Sequence, residues 1–191
     1  MGKQGSWIKR FTDILFSTVI ILLTSPILFL SIIAIKLESA GPAIFHHERT
    51  GYKGKKFKLI KFRGMVDNAL AVGPELTQVN DPRITKVGKF LRRTSIDEIP
   101  NFINVLKGEM TIIGPRPDIS SVTDQYTPEQ RKIFDFKPGV TGISQINGRQ
   151  LLSPDDRIKL ELEYYKQADF FSDLVILFKT IIVIFNNKGN I

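Results

Sequence analysis

A mixed, helix-rich α/β fold fronted by a membrane-associated helix is what the sequence predicts, and three observations predict it. Ile14 to Ile35 run for 22 positions without a charge, long enough to reach across a bilayer. Residues 43–64 interleave large apolar and basic side chains around Gly51 and Gly54, the pattern of strand, turn and strand. From Arg92 onward the apolar residues recur at helical spacing instead. The 191 residues divide accordingly into 1–36, a membrane-associated re-entrant helix with basic flanks, and 37–191, a compact cytoplasmic domain with interface-lying helices.

Trp7, Lys9, Arg10 and Phe11 form a basic, aromatic approach suited to a membrane interface. Fifteen of the next 22 uncharged residues are Leu, Ile, Val or Phe. At roughly 0.5 kcal/mol each they favour insertion by about 7 kcal/mol, more than the ~3 kcal/mol cost of a mid-helix proline. Pro26 therefore leaves insertion intact and is expected to break the rod, with the Thr24 and Ser25 hydroxyls satisfying the freed backbone. Basic residues flank both ends, Lys3, Lys9 and Arg10 before and Lys36 after. By the positive-inside tendency both ends belong in the cytoplasm. A helix that dips in and returns, broken at Ser25-Pro26, satisfies this; a straight span with an exported domain is the competing topology. A cleaved signal is disfavoured by the length of the run and by the lack of a small-residue cleavage site.

The formal charge is +8, unevenly spread. Residues 36–93 carry thirteen basic and five acidic side chains, whereas residues 94–191 carry eleven and thirteen. A basic block just after the apolar segment implies an anionic partner: lipid headgroups, nucleotide phosphates or nucleic acid. The absence of cysteine excludes disulfides and thiolate metal sites. The only histidines, His46 and His47, read as surface or anion-contacting residues. In Phe57 to Arg63, Lys55, Lys56 and Lys58 suit a solvated strand face, while Lys61 and Arg63 invite a phosphate role. Gly51 to Lys56 lacks the spacing and the Ser/Thr of a P-loop, so an NTPase is unsupported. Residues 67–83, with Gly73-Pro74 and Asp81-Pro82, read as a mobile loop.

Arg92 to Pro117 is the stretch richest in chemistry. Ile99, Phe102, Ile103, Val105 and Leu106 suit one buried helix face. Ser95 with Glu98 reads as a capping box, and a start at Asp97 would instead place Pro100 in the first turn. Either start puts Asp97 and Glu98 at a helix N-terminus, where negative charge is favoured. With Arg92 and Arg93 alongside, both acids are expected to stay ionised at neutral pH. Such acids ordinarily serve as caps. Flanking arginines, a stiff Gly114-Pro115-Arg116-Pro117 and no adjoining lysine run set this pair apart. An ionised aspartate needs no base to attack phosphorus, and arginines with a hard divalent cation would neutralise the phosphate oxygens. Downstream, a short helix is expected near Pro128 to Phe134. Lys137 to Arg149 holds three glycines, read as a structural turn or as backbone passing close to a ligand. Ser153-Pro154-Asp155-Asp156 starts a helix carrying Glu161. Phe170 to Phe185, with 12 of 16 residues Phe, Leu, Ile or Val, is short for a span and reads as a core or interface-lying helix.

These residues together resemble the bacterial sugar transferases of the small monotopic phosphoglycosyl transferase family, over nearly the whole chain. The resemblance rests on Ser25-Pro26, on KFRGM (Lys61 to Met65), on DPRITKVGKFLRRTSIDEIPNFINVLKGEMTIIGPRP (Asp81 to Pro117) and on KPGVTGISQINGR (Lys137 to Arg149). It implies transfer of a sugar phosphate from a UDP-sugar to a polyprenyl phosphate, with release of UMP, in two steps with Mg²⁺, at the cytoplasmic face of the bacterial inner membrane. It implies membrane lipids as partners and no nucleic acid, and it allows a homodimer. It implies that Asp97 is the nucleophile and a metal ligand, with Glu98 as its dyad partner. Lys61, Arg92, Arg116 and Arg149 match the basic residues around the phosphates and nucleotide, and Arg63 and Glu161 join them as substrate-binding candidates. The chain departs from the family pattern at Glu161, where Asp is usual, at Gly64 (Ser or Thr) and at Glu109 (Asp). The competing function is a non-catalytic, membrane-tethered module binding anionic lipid or nucleic acid through residues 36–93, for which the acid pair would be superfluous.

Overall fold

The computed structural model describes residues 7–78, 80–148 and 152–186. It opens with helix α1, Trp7–Glu38, 32 residues long and so about 48 Å if straight. It is the one described helix long and apolar enough to cross a membrane, and little of it is covered by the rest of the chain. The helical run passes Pro26 without interruption, where the sequence predicts a break. Proline removes the N–H that would bond the Leu22 carbonyl. The Ser25 hydroxyl donates to that same carbonyl at 2.8 Å, and the Thr24 hydroxyl donates to Ile20 O at 2.7 Å.

Both ends of α1 are fastened to the domain that follows. Near the start, Arg10 donates to the carbonyls of Val105 and Leu106 at 2.5 and 2.7 Å. The buried Asp13 accepts from the Thr111 hydroxyl at 2.7 Å and from Ile112 N at 3.2 Å. Lys9 pairs with Asp173 at 2.8 Å. At the other end Ile35 packs with Ala43, Phe62 and Leu91. Glu38 accepts from Lys86 N and Val87 N at 2.7 and 2.9 Å.

The expected hairpin is present. Strand β1, Ile44–Thr50, pairs antiparallel with β2, Lys56–Phe62. Lys55, Lys56 and Lys58 are exposed, while Phe57, Leu59, Ile60 and Phe62 are buried. A second, parallel pair joins β3, Thr111–Ile113, to β4, Gly139–Thr141. Its glycines serve chain packing: a Cβ on Gly139 would come within 2.1 Å of Gly114 N. This is the structural reading of the glycine-rich segment, since the backbone that passes close to it is Gly114.

Helix α2, Lys86–Arg93, begins at Thr85, whose hydroxyl accepts from Gly88 N. Gly88 lies so close to the Gly64 carbonyl that a Cβ would meet it at 2.0 Å. Helix α3 runs Asn101–Lys107. The short helices α4, Ser120–Thr123, and α5, Ile143–Ile146, precede α6, Pro154–Gln167, and α7, Phe170–Asn186. Ser153 caps α6 as its sequence predicts. The expected turn of helix near Pro128 is a 3₁₀ segment, Gln130–Asp135. The described residues of 67–83 form no helix or strand and are cross-braced by Arg83. Its guanidinium pairs with Asp81 at 2.6 Å and donates to Ala69 O and Pro74 O.

The main core gathers Phe57, Leu59, Val105, Met110, Ile112 and Tyr165. At its centre the fully buried Asn104 staples α3 to β2. It accepts from Ile60 N at 3.0 Å and donates to Lys58 O at 2.8 Å and to Glu109 at 2.7 Å. This fixes the strand bearing Lys61 against the helix that follows Asp97.

Candidate active site

Asp97 and Glu98 sit in a 3₁₀ turn, Ile96–Glu98, rather than in the first turn of α3. The chain leaves α2 through Ser95, whose backbone is left-handed (φ 57°) and whose N–H bonds back to Arg92 O. Ser95 makes no side-chain cap, so the expected capping box with Glu98 does not form. Pro100 takes the N-cap position of α3. The acids are thus displayed by a tight connection between two short helices instead of being absorbed into helix capping.

Asp97 is 7% exposed. Burial foremost, and then the Glu98 charge, push its carboxyl up to about 6, against the opposing pull of Lys61, Arg92 and Arg116. The flanking arginines were expected to dominate; burial outweighs them because desolvation penalises the charged form directly. The group remains mostly ionised at neutral pH, with a proton affinity unusual for an aspartate. Burial likewise lowers Lys61 to about 8, opposed by the Asp97 charge, and lowers Arg92. Arg116 reaches Glu98 at 3.3 Å.

Arg49, Lys61, Arg92, Asp97, Glu98 and Arg116 line one cavity of ≈ 1800 Å³. The same cavity is walled by apolar residues of α1 and α7, including Phe16, Ile20, Leu177 and Ile181. It therefore presents charged groups and lipid-compatible side chains within one space.

Of the other candidates, Arg63 also lines this cavity, but its guanidinium is held by backbone carbonyls. Arg63 is 5% exposed. Its guanidinium donates to Ala40 O, and to Ser39 O and the Ser39 hydroxyl at 2.9 Å each. It binds the carbonyls at the C-terminal end of α1, where a cation is favoured, and so ties that helix to β2. Glu161, 1% exposed, is absent from the cavity wall and lies under the Pro-Arg-Pro turn. It accepts from Arg116 N at 3.0 Å and from the Ser144 hydroxyl at 2.6 Å. Burial raises its carboxyl, and these two bonds oppose the rise. One turn earlier on α6, Arg157 forms a two-pronged pair with Asp118, which Tyr126 also contacts. Arg149 lies outside the described residues.

Sequence reasoning missed Arg49, Asp118 and Arg157, and gave His47 only a general surface or anion-contacting role. Arg49 and His47 face the cavity from β1, and Asp118 and Arg157 brace the turn that carries Arg116. Period-2 alternation along Phe45, His47 and Arg49 was the available signal for the first pair. The second pair depends on the tertiary meeting of α6 with residues 116–118.

Among the described residues no group of three or more His, Asp or Glu is placed to hold a metal. Mg²⁺ is ordinarily bound by one or two carboxylates together with substrate phosphates and water. The adjacent acids Asp97 and Glu98 in a cationic cavity fit that requirement and do not suit an all-protein cage.

The chain matches the family described as bacterial sugar transferase over residues 4–187. It is 44% identical to a UDP-glucose:undecaprenyl-phosphate glucose-1-phosphate transferase of Escherichia coli K12, over 95% of this chain and 41% of that protein. A UDP-N-acetylgalactosamine-undecaprenyl-phosphate N-acetylgalactosaminephosphotransferase of Aeromonas hydrophila is 40% identical, over 96% and 45%. The exopolysaccharide production protein ExoY of Rhizobium meliloti is 34% identical, over 97% and 89%. The chain thus spans less than half the length of the first two and most of the third.

Proposed function

The chain belongs to the bacterial sugar transferase family, and we propose that it transfers a sugar 1-phosphate from a UDP-sugar to a polyprenyl phosphate, beginning the assembly of a glycoconjugate. The observation that carries this reading is Asp97: a buried carboxylate with a raised proton affinity, in a cationic cavity walled partly by the membrane helix.

In the first step an Asp97 carboxylate oxygen attacks the sugar-bearing phosphorus of the donor. A P–O bond forms to Asp97, the bond to the UMP oxygen breaks, and UMP leaves with that electron pair. In the second step a phosphate oxygen of the lipid attacks the same phosphorus. Asp97 leaves as carboxylate and the lipid diphosphate-sugar is complete. Lys61, Arg92 and Arg116 offset the charge on the phosphate oxygens, and desolvation strengthens each of these contacts. Mg²⁺ held by Asp97 and Glu98 would supply further charge neutralisation at those oxygens. Because one nucleophile serves a soluble donor and a lipid acceptor in turn, the cavity has to open to both phases.

The topology that suits this chemistry is re-entrant, with the domain on the cytoplasmic face of the inner membrane, where UDP-sugars are made. Its support is that Arg10 and Asp13 at one end of α1, and Ile35 and Glu38 at the other, engage the same domain. Asp13 and Ile35 would lie about 33 Å apart along a straight helix, and a helix crossing a bilayer would place one of these attachments beyond the far surface. Exposed Leu22, Leu23, Phe29 and Leu30 would meet lipid between the two anchors. Along α7, exposed Phe171, Val175, Phe178 and Ile182 form one stripe suited to lying in the interface.

Release of UMP from a panel of UDP-sugars, with undecaprenyl phosphate and Mg²⁺ in detergent, tests the function. At least one donor is expected to turn over only when the lipid phosphate is present. A complete panel without UMP release would remove the reading.

A further inference from the structure

Arg49 is a cation of this cavity that neither the family resemblance nor the sequence pattern singled out. In β1 the side chains of Phe45, His47 and Arg49 alternate with the exposed His46 and Glu48, so the first three share one face. Lys61 lies opposite Phe45 in the hairpin register and lines the same cavity. The hairpin therefore presents a guanidinium and an ammonium to one space from neighbouring strands.

The bonding of Arg49 is that of a guanidinium oriented but not neutralised. It donates to Pro117 O at 3.3 Å and to His47 Nδ1 at 3.1 Å, both uncharged acceptors. Its Nε–H is buried and makes no hydrogen bond among the described residues. Burial foremost, with Arg49 and Lys61 adding to it, lowers His47 to about 4, so the imidazole is neutral and able to accept. The carboxylates nearby have other bonds: Asp118 to Arg157 and Tyr126, Glu75 to Ser121 at 2.7 Å and Glu98 to Arg116. Arg116 and Lys61 repel Arg49 across the cavity. Like charges held together in a partly desolvated space, with a bidentate fork available, make a site for a phosphate.

We propose that Arg49 is a further substrate-binding residue, placing its guanidinium on a phosphate group, with the Pro117 carbonyl and neutral His47 fixing the direction of the fork. The proposal deepens the transferase reading and rests on it for the identity of the substrate. The phosphate belongs either to the nucleotide-sugar donor or to the lipid acceptor.

Binding of UDP and of uridine to the full chain in detergent, wild type against Arg49→Gln, is the first measurement. Loss of one charge-assisted contact should weaken UDP on the order of 10- to 100-fold and leave uridine unchanged. If the turn carrying Arg116 had merely shifted, the thermal midpoint would fall and Arg49→Lys, which keeps charge and length, would bind like Arg49→Gln. A lysine that recovers part of the affinity at an unchanged midpoint supports the phosphate contact. Steady-state kinetics then separate the sources. A raised KM for the UDP-sugar with little change in kcat assigns the donor, and a raised KM for undecaprenyl phosphate with unaltered UDP affinity assigns the acceptor. Unchanged UDP affinity together with both KM values unchanged in a folded Arg49→Gln would overturn the proposal. Failure of the transferase reading would show separately, as wild-type protein that releases no UMP, and the UDP comparison would still judge Arg49.

Discussion

Arg92 and Arg116 both act on Asp97, but they are held in place by different means. Arg116 stands between two prolines, its N–H bonded to Glu161 in the interior, and Asp118 just beyond is gripped by Arg157. Arg92 sits in the last turn of α2, whose first turn hangs on Glu38 at the end of α1 through exposed bonds. Its guanidinium reaches the exposed Thr77 hydroxyl only at 3.5 Å. Buried bonds resist competition from water, and exposed ones do not. One arginine is therefore a fixed neighbour of Asp97, and the other is tied to how α1 is seated.

The largest departure from this contrast should come from Glu161. Glu161→Ala strips the acceptor from Arg116 N and from the Ser144 hydroxyl, and kcat/KM is expected to drop on the order of 100-fold, about 2.7 kcal/mol. Glu161→Gln keeps an acceptor oxygen and should stay within about tenfold of wild type. A glutamine as damaging as alanine would mean that the carboxylate itself meets substrate or metal.

Glu38→Ala should cost less, about 1 kcal/mol in kcat/KM. Its effect should be coupled to that of Arg92→Lys and additive with that of Arg116→Lys, as neighbouring and independent sites behave. Coupling to Arg116 instead would erase the distinction between the two arginines.

The pH profile sharpens the same comparison. In the proposed mechanism Asp97 attacks only when deprotonated, so its folded-state value of about 6 places a rising limb of kcat/KM there. Lys61 is charged below about 8, which places a falling limb near that value. Both arginines favour ionised Asp97, so Arg92→Gln or Arg116→Gln should each move the rising limb to higher pH. The raised value also bears on stability. Below the ordinary aspartate pKa of 3.8 the group is neutral folded and unfolded, so its burial penalty is absent. The penalty grows as pH rises towards 6 and is complete above it. Asp97→Asn should accordingly raise the thermal midpoint above pH 6, by roughly 3 °C for each kcal/mol relieved, and should give no gain below pH 4.

The smallest effect is expected at Ser25. Removing its hydroxyl frees the Leu22 carbonyl next to Pro26, and Ser25→Ala should lower the thermal midpoint in detergent by the equivalent of about 1 kcal/mol or less. A large loss would mean that the hydroxyl does more than satisfy this backbone group.

Local pattern made part of this architecture readable. The apolar run, the hairpin, the Ser153 cap and the charged stretch from Arg92 to Arg116 follow from periodicity and from turn chemistry, which act over a few residues. The turn geometry at Asp97 did not follow, because Ser95 adopts a left-handed backbone between α2 and α3 that no local signal specifies. Arg63 read as a phosphate ligand by its neighbours in sequence, yet it closes the end of α1 twenty-four residues upstream. Glu161 was identified as a site residue but not as one reaching Arg116 from beneath. Asn104 carries no distinguishing signal in the local pattern, yet it is the buried staple between β2 and α3. Each of these depends on a partner distant in the chain, which spacing alone cannot supply.

The most direct test is intact-protein mass spectrometry of the chain in detergent, incubated with Mg²⁺ and a turning-over UDP-sugar but no lipid phosphate. A gain equal to one sugar phosphate is expected, located at Asp97 by peptide mapping, lost on addition of undecaprenyl phosphate and missing from Asp97→Asn. Continued turnover by Asp97→Asn, or steady UMP release from wild type with the adduct never forming, would contradict the assignment of Asp97 as the group that bonds to phosphorus.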